Sequence, residues 1–304
     1  MPEEGLSGQV WVITGGAGAI AGRIARAFAA AGARLVLADL DRAREALAAR
    51  ARELGAMSFT ADLTQFAEAE ALARRVREGM GRVDGLIHTV GTYAGGPVDA
   101  VDPAQYERLF DLNVRTLFYT VRAVLPLMLE QGEGFIAGFA SGPAWRGAGP
   151  RAALYAAAKS AVATFLRSLD AELRERHREA RPKAQVPPSV AEAGQGGREI
   201  PPVARAKSPG EGANAHENGA TPQAGATNGT AGTSPPPAAR SGGGIRVAVV
   251  YPMGIVDTPA NRRSLPNADP DGWIDPDEIA TVLLFAATRG PRGRLLELPV
   301  YPGR

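Results

Sequence analysis

Gln9-Val-Trp-Val-Ile-Thr-Gly-Gly-Ala-Gly-Ala-Ile-Ala-Gly22 is the stretch that decides the fold. Its first half is a short apolar run ending at Thr14. After the small-residue turn, Ile20, Ile24 and Phe28 recur at every fourth position. That change from a run to a one-sided repeat marks a strand passing into an amphipathic helix. Small residues in the turn let the backbone approach a pyrophosphate, whose charge the helix N-terminus then meets. The same residues would equally serve tight packing of strand on helix.

The unit repeats outward from there. Residues 34–39 read as a second strand, followed by a charged, alanine-rich helix to about residue 54. Residues 57–60 and 64–79 give a third strand and helix, and 85–90 a fourth strand. Asp102-Pro103 supplies an N-cap and a first-turn proline for a helix running towards residue 130. Residues 135–140 form a fifth strand, 152–177 a long helix, and 245–251 a near-continuous apolar strand of the kind covered on both faces. Asp275-Pro276-Asp277-Glu278 opens a sixth helix, and 295–300 closes as a last strand. Seven strands alternating with six helices imply an α/β fold, a single doubly wound (Rossmann-like) parallel seven-stranded sheet with helices on both faces. Such a sheet binds its ligand beyond the carboxyl ends of the strands, at the switch point.

Residues 180–244 interrupt this order. They hold 10 of the 24 prolines and 12 of the 37 glycines, with no aromatic residue and no leucine. Such a stretch cannot bury enough apolar surface to offset its ordering entropy, so it reads as a disordered insert. The single domain is then residues 1–179 and 245–304. The insert carries six Lys/Arg and four Asp/Glu, which accounts for the net charge of +2 and leaves 28 of each sign elsewhere. A nucleic-acid partner would want basic charge clustered on the folded part, and a membrane span about 20 consecutive apolar residues; neither is present in the sequence. Zero cysteines exclude a disulfide framework, a thiolate metal site and a cysteine nucleophile, and no metal is expected. The acidic, polar opening Met1-Pro-Glu-Glu-Gly-Leu-Ser-Gly8 is unlike a signal peptide, which makes a cytoplasmic location the expectation.

Chemistry enters with three further positions. Asp39 ends the second strand, where a carboxylate accepts hydrogen bonds from both hydroxyls of an adenosine ribose and repels a 2′-phosphate, favouring NAD over NADP. The alternative is an N-cap for the next helix. Tyr155 and Lys159 stand at i and i+4, on one helix face. A free phenol titrates near about 10, and an adjacent ammonium lowers that value towards the range useful for proton transfer. Ser141, 14 residues upstream at the end of the fifth strand, could polarise a carbonyl oxygen.

In this order the residues resemble the short-chain dehydrogenase/reductase family over nearly the whole chain outside the insert. Thr14-Gly15 with its turn, Asp39, Asp62-Leu63, Gly91, Asn113, Ser141, Tyr155 with Lys159, and Pro252 followed by Asp257-Thr258 carry the likeness. The resemblance implies that Tyr155 is the general acid/base, that Lys159 lowers its pKa and binds the nicotinamide ribose, and that Ser141 holds the substrate oxygen. It implies that Asn113 supports a water in the proton relay. For the cofactor it implies Thr14, Gly15, Gly18 and Ile20 around the turn, Asp39 at the ribose, and Asp62 with Leu63 at the adenine. Val90 and Gly91 would line the cofactor, and Val256 and Thr258 would reach the nicotinamide half. It further implies a small carbonyl/alcohol substrate and a homo-oligomer, dimer or tetramer.

Three departures qualify it. Ala19 and Ala21 replace usual glycines, and a methyl at Ala21 could crowd the pyrophosphate. His88-Thr89 stands where the family usually has Asn-Asn, with His88 reading as a hydrogen-bonded core residue. The segment before Asp257-Thr258 is one residue longer than usual. Residues 257–269 with Trp273, and residues 93–96, are similar to the quinonoid dihydropteridine reductase branch, which makes a pteridine reductase one alternative. A catalytically silent cofactor-sensing or scaffold protein on the same fold is another.

Overall fold

Successive residues of a strand face opposite sides of the sheet, and here both sides are apolar. Val10 and Val12 pack with Leu72, Val121 and Leu166; Trp11 and Ile13 pack with Ile24, Phe28 and Leu283. Two separate cores follow, each needing its own layer of helices. The computed structural model describes residues 5–147, 149–180, 243–290 and 293–303. These belong to one compact unit, Met1–Arg181 with Ala239–Arg304. The insert expected at 180–244 lies, apart from residues 180, 243 and 244, outside the described residues.

The chain alternates as β1 (Val10–Thr14), α1 (Ala19–Ala30), β2 (Arg34–Asp39), α2 (Arg44–Leu54), β3 (Met57–Thr60), α3 (Phe66–Met80) and β4 (Gly85–His88). It continues through α4 (Pro103–Phe110), α5 (Thr116–Gln131), β5 (Glu133–Phe139), α6 (Gly142–Arg146) and α7 (Ala153–Ala180). It closes with β6 (Gly244–Pro252), α8 (Pro259–Ser264), α9 (Pro276–Thr288) and β7 (Glu297–Val300). All strand pairs are parallel and the order is β3-β2-β1-β4-β5-β6-β7. The chain runs outward through β2 and β3, then returns to the other side of β1, so the switch point lies between β1 and β4. The side chains of Asp102 and Asp275 cap their helices, accepting from Ala104 N at 2.9 Å and Asp277 N at 2.8 Å.

The helix expected from 102 towards 130 runs unbroken from Pro103 to Gln131 but is not α-helical throughout. A π-helical turn, Asp111–Arg115, separates α4 from α5 and holds Asn113. One extra residue in a turn hardly changes the apolar spacing, so the sequence period does not reveal it. The short helices α6 and α8 also escape the period, being about one turn each. No helix among the described residues is long and apolar enough to cross a membrane.

Candidate active site

The turn after β1 is built around one left-handed residue. Gly15 has φ +69, and a side chain there would meet Thr89 Oγ1 at 2.6 Å; glycine alone meets both conditions. The backbone donors that follow can be accounted for one by one. Gly16 N donates to Ala38 O (2.9 Å), Ala17 N to Asp39 Oδ2 (2.9 Å), Gly18 N to Gly15 O (2.8 Å) and Gly22 N to Gly18 O (3.0 Å). Ala19, Ile20 and Ala21 open α1, where N–H groups have no intrahelical acceptor. These three residues line a groove of about 450 Å³ together with Gly15, Gly18, Asp39, Asp62, Leu63, Val90, Gly91 and Thr258. A diphosphate fits this set: free donors at a helix start, a small-residue wall, and a carboxylate one strand away. Ala19 and Ala21 take helical conformations after the N-cap Gly18 (φ −65), so their methyl groups introduce no backbone strain.

Asp39 does not cap the next helix. Its Oδ1 accepts from Leu40 N (2.7 Å) and its Oδ2 from Ala17 N, fastening the turn to β2 while facing the groove. Asp62 accepts from the Thr64 N–H and hydroxyl at 3.0 and 2.7 Å. Four expected cofactor residues, Thr14, Tyr155, Lys159 and Val256, are not among those lining the groove. Thr14 is fully buried, its hydroxyl held by His88, and Val256 packs into the core on the α1 side of the sheet. Leu40, Arg42, Ala61, Thr92, Leu112, Thr116 and Ala260 line it without having been singled out, and Thr89, noted only as a departure from the family, lines it too. Arg42 and Thr89 sit one to three residues from recognised positions, and adjacency to those positions was the only available signal.

On the groove wall, Gly91 lies against two polar side chains. A side chain there would lie 2.6 Å from Asn113 Oδ1 and 3.1 Å from Lys159 Nζ. Asn113 is buried, and its amide is spent on backbone: Nδ2 donates to Thr92 O (3.0 Å) and Leu109 O (2.9 Å), and Oδ1 accepts from Thr92 N (3.2 Å). Its side chain therefore fixes the loop after β4 against the π turn. Lys159 Nζ donates to Phe139 O at 2.9 Å and lies 6.0 Å from the Tyr155 ring centre. Burial pushes this ammonium down to about 8. Burial also holds the Tyr155 phenol above its ordinary value, opposed by a hydrogen bond with Ser141 and reinforced by Tyr93. The ammonium is turned to the Phe139 carbonyl, and desolvation is the largest influence on the phenol. The Tyr93 ring stands edge-on to that of Tyr155 at 4.9 Å.

His88 is a core residue. Its Nδ1 lies 2.9 Å from Thr14 Oγ1 and its Nε2 3.1 Å from Thr116 Oγ1. Because the Thr116 hydroxyl donates to Leu112 O (2.9 Å), it accepts from His88, so Nε2 carries the proton and Nδ1 accepts from Thr14. Burial, with the Lys159 charge nearby, pushes the imidazole down to about 3, out of range for a base at neutral pH.

A doubly wound parallel sheet whose switch-point turn presents free N–H groups to a long groove defines a nucleotide-binding α/β protein of the Rossmann type. Residues 9–181 match the family described as short chain dehydrogenase, and the chain belongs to that family. It is 36% identical over 169 residues to a 2-dehydro-3-deoxy-L-rhamnonate dehydrogenase (NAD(+)) of a Sphingomonas species, covering 55% of this chain and 67% of the relative. It is 32% identical over 164 residues to a galactitol 2-dehydrogenase of Agrobacterium fabrum, covering 54% and 64%. The chain thus spans about two thirds of the length of these relatives. The fold also matches a metagenomic short-chain oxidoreductase solved in complex with NADP, with TM-score 0.66, 23% identity, and 99% and 100% of the two chains covered. None of these three is a dihydropteridine reductase, and that likeness rests on the loop residues alone.

Proposed function

We propose that this protein is an NAD(P)-dependent oxidoreductase acting on a small carbonyl/alcohol pair, with Tyr155 as general acid and base. The observation that carries this reading is the placement of Asn113 Oδ1 and Lys159 Nζ against Gly91 on the groove wall, with Tyr155 beside Lys159 and hydrogen-bonded to Ser141. When bound, the nicotinamide supplies or accepts the hydride. The protein's part is the proton. A phenol held above its ordinary value is protonated at neutral pH, so Tyr155 is ready to donate to a carbonyl oxygen and, in the reverse direction, its phenolate takes the alcohol proton. Ser141 hydrogen-bonds the same oxygen and orients it towards the phenol. Lys159, charged below about pH 8, steadies the phenolate and offers its remaining N–H bonds to the cofactor ribose. Asn113 holds the backbone at residues 91 and 92 against this cluster.

Ala19, Ile20 and Ala21 would meet the pyrophosphate, Asp62 and Leu63 the adenine, and Asp39 the adenosine ribose. The Asp39 carboxylate favours NAD, the cofactor in the name of the Sphingomonas relative. Replacing Tyr155 by phenylalanine tests the reading. Reduction of aldehydes and ketones by NADH should fall by about 10²-fold or more, the range set by loss of a general acid, with NADH binding kept. A Tyr155→Phe variant that still turns over would sink it.

A further inference from the structure

Arg50 lies on α2, 34 residues from the turn, yet its guanidinium reaches back to it. Nη1 donates to Gly16 O and, at 2.9 Å, to Gly18 O. The same guanidinium covers Gly22, where a methyl group would lie 2.7 Å from Cζ and 2.8 Å from Nη2. Arg50 forms no salt bridge among the described residues. A half-buried cation bonded only to carbonyls is costly to place there, and this one sits behind the segment whose N–H groups face the groove. Peptide planes that turn N–H groups towards an anion turn carbonyl oxygens away from it, and those oxygens need partners. At Gly18, whose carbonyl shares a peptide with Ala19 N, the partners are Gly22 N and Arg50; at Gly16, whose carbonyl shares a peptide with the Ala17 N–H that donates to Asp39, the partner is Arg50.

We propose that Arg50 is a positioning residue for the dinucleotide: by holding the Gly16 and Gly18 carbonyls it sets the orientation of the turn that binds the pyrophosphate. This rests on the oxidoreductase reading above. It also accounts for the placement of small residues: Ala is accepted at 19 and 21, which Arg50 does not cover, and glycine stands at 22, which it does.

The test is isothermal titration of the full chain with NADH, ADP and adenosine. Arg50→Met should weaken NADH and ADP by about tenfold or more, the range for a charge-assisted hydrogen bond, and leave adenosine binding unchanged. Arg50→Lys should recover part of that loss. Gly22→Ala, which displaces the guanidinium while keeping it, should give a similar loss, and combining it with Arg50→Met should add nothing further. Unchanged ADP binding in Arg50→Met, equal weakening of adenosine, or additive losses in the double variant would overturn the role of Arg50 while leaving the dinucleotide reading standing. A wild-type chain that binds neither NADH nor ADP would overturn both.

Discussion

His88 binds hydroxyls at both of its ring nitrogens and stays neutral, so it joins β1, β4 and the start of α5 without taking part in proton transfer. Its cost appears in acid. The unfolded imidazole titrates at its ordinary 6.5 and the folded one at about 3, so between those values the unfolded chain binds a proton that the folded chain does not. Stability contributed above pH 6.5 is therefore lost as pH falls towards 3, by up to about 1.4 kcal/mol per pH unit. His88→Asn, the residue usual at this place in the family, should flatten that limb by one proton, read from urea unfolding between about pH 6 and pH 4. An unchanged slope would refute the neutral, buried assignment. Gly15 and the Tyr155–Lys159 pair were legible in the sequence because turn geometry and helix spacing are local. The Thr14–His88–Thr116 chain and the Arg50 contact join residues 28 to 74 positions apart, and no periodicity encodes such pairs.

At the scale of elements, α1 carries the largest departure from the family. Its N-terminal residues supply free N–H groups whatever their side chains, and Ala19 and Ala21 have helical backbones. Ala21→Gly should therefore cost about 1 kcal/mol of stability, since glycine is the poorer helix former, without tightening NADH. Tighter binding in that variant, measured by fluorescence, would mean that the methyl does crowd the pyrophosphate. The strands and long helices were readable from their periods and caps. The π turn, which decides where Asn113 points, was not: its extra residue leaves the apolar spacing of α4 and α5 nearly intact.

At the scale of the whole molecule, the groove and the polar cluster are assembled from elements on both sides of residues 181–242. The described residues on either side of it approach each other, for Gly244 at the start of β6 lies beside His177 near the end of α7, with 3.2 Å between His177 Nδ1 and a side chain placed at Gly244. Replacing residues 182–242 by a Gly/Ser linker of about six residues, an ordinary helix-to-strand length, should preserve NADH affinity and the thermal midpoint. Loss of either would assign the segment a part in the cofactor site. Composition alone places this insert at residues 180–244 in the sequence, because composition limits what can be buried.

The central claim is that the groove from Gly15 to Thr258 takes a nicotinamide dinucleotide, with Asp39 reading the adenosine ribose. Fluorescence titration of the purified protein with NADH and, separately, NADPH tests it most directly. Saturable NADH binding, about tenfold or more tighter than NADPH because a carboxylate repels the 2′-phosphate, is the predicted result. Binding of neither nucleotide would contradict the account, and tighter NADPH binding would contradict the role given to Asp39.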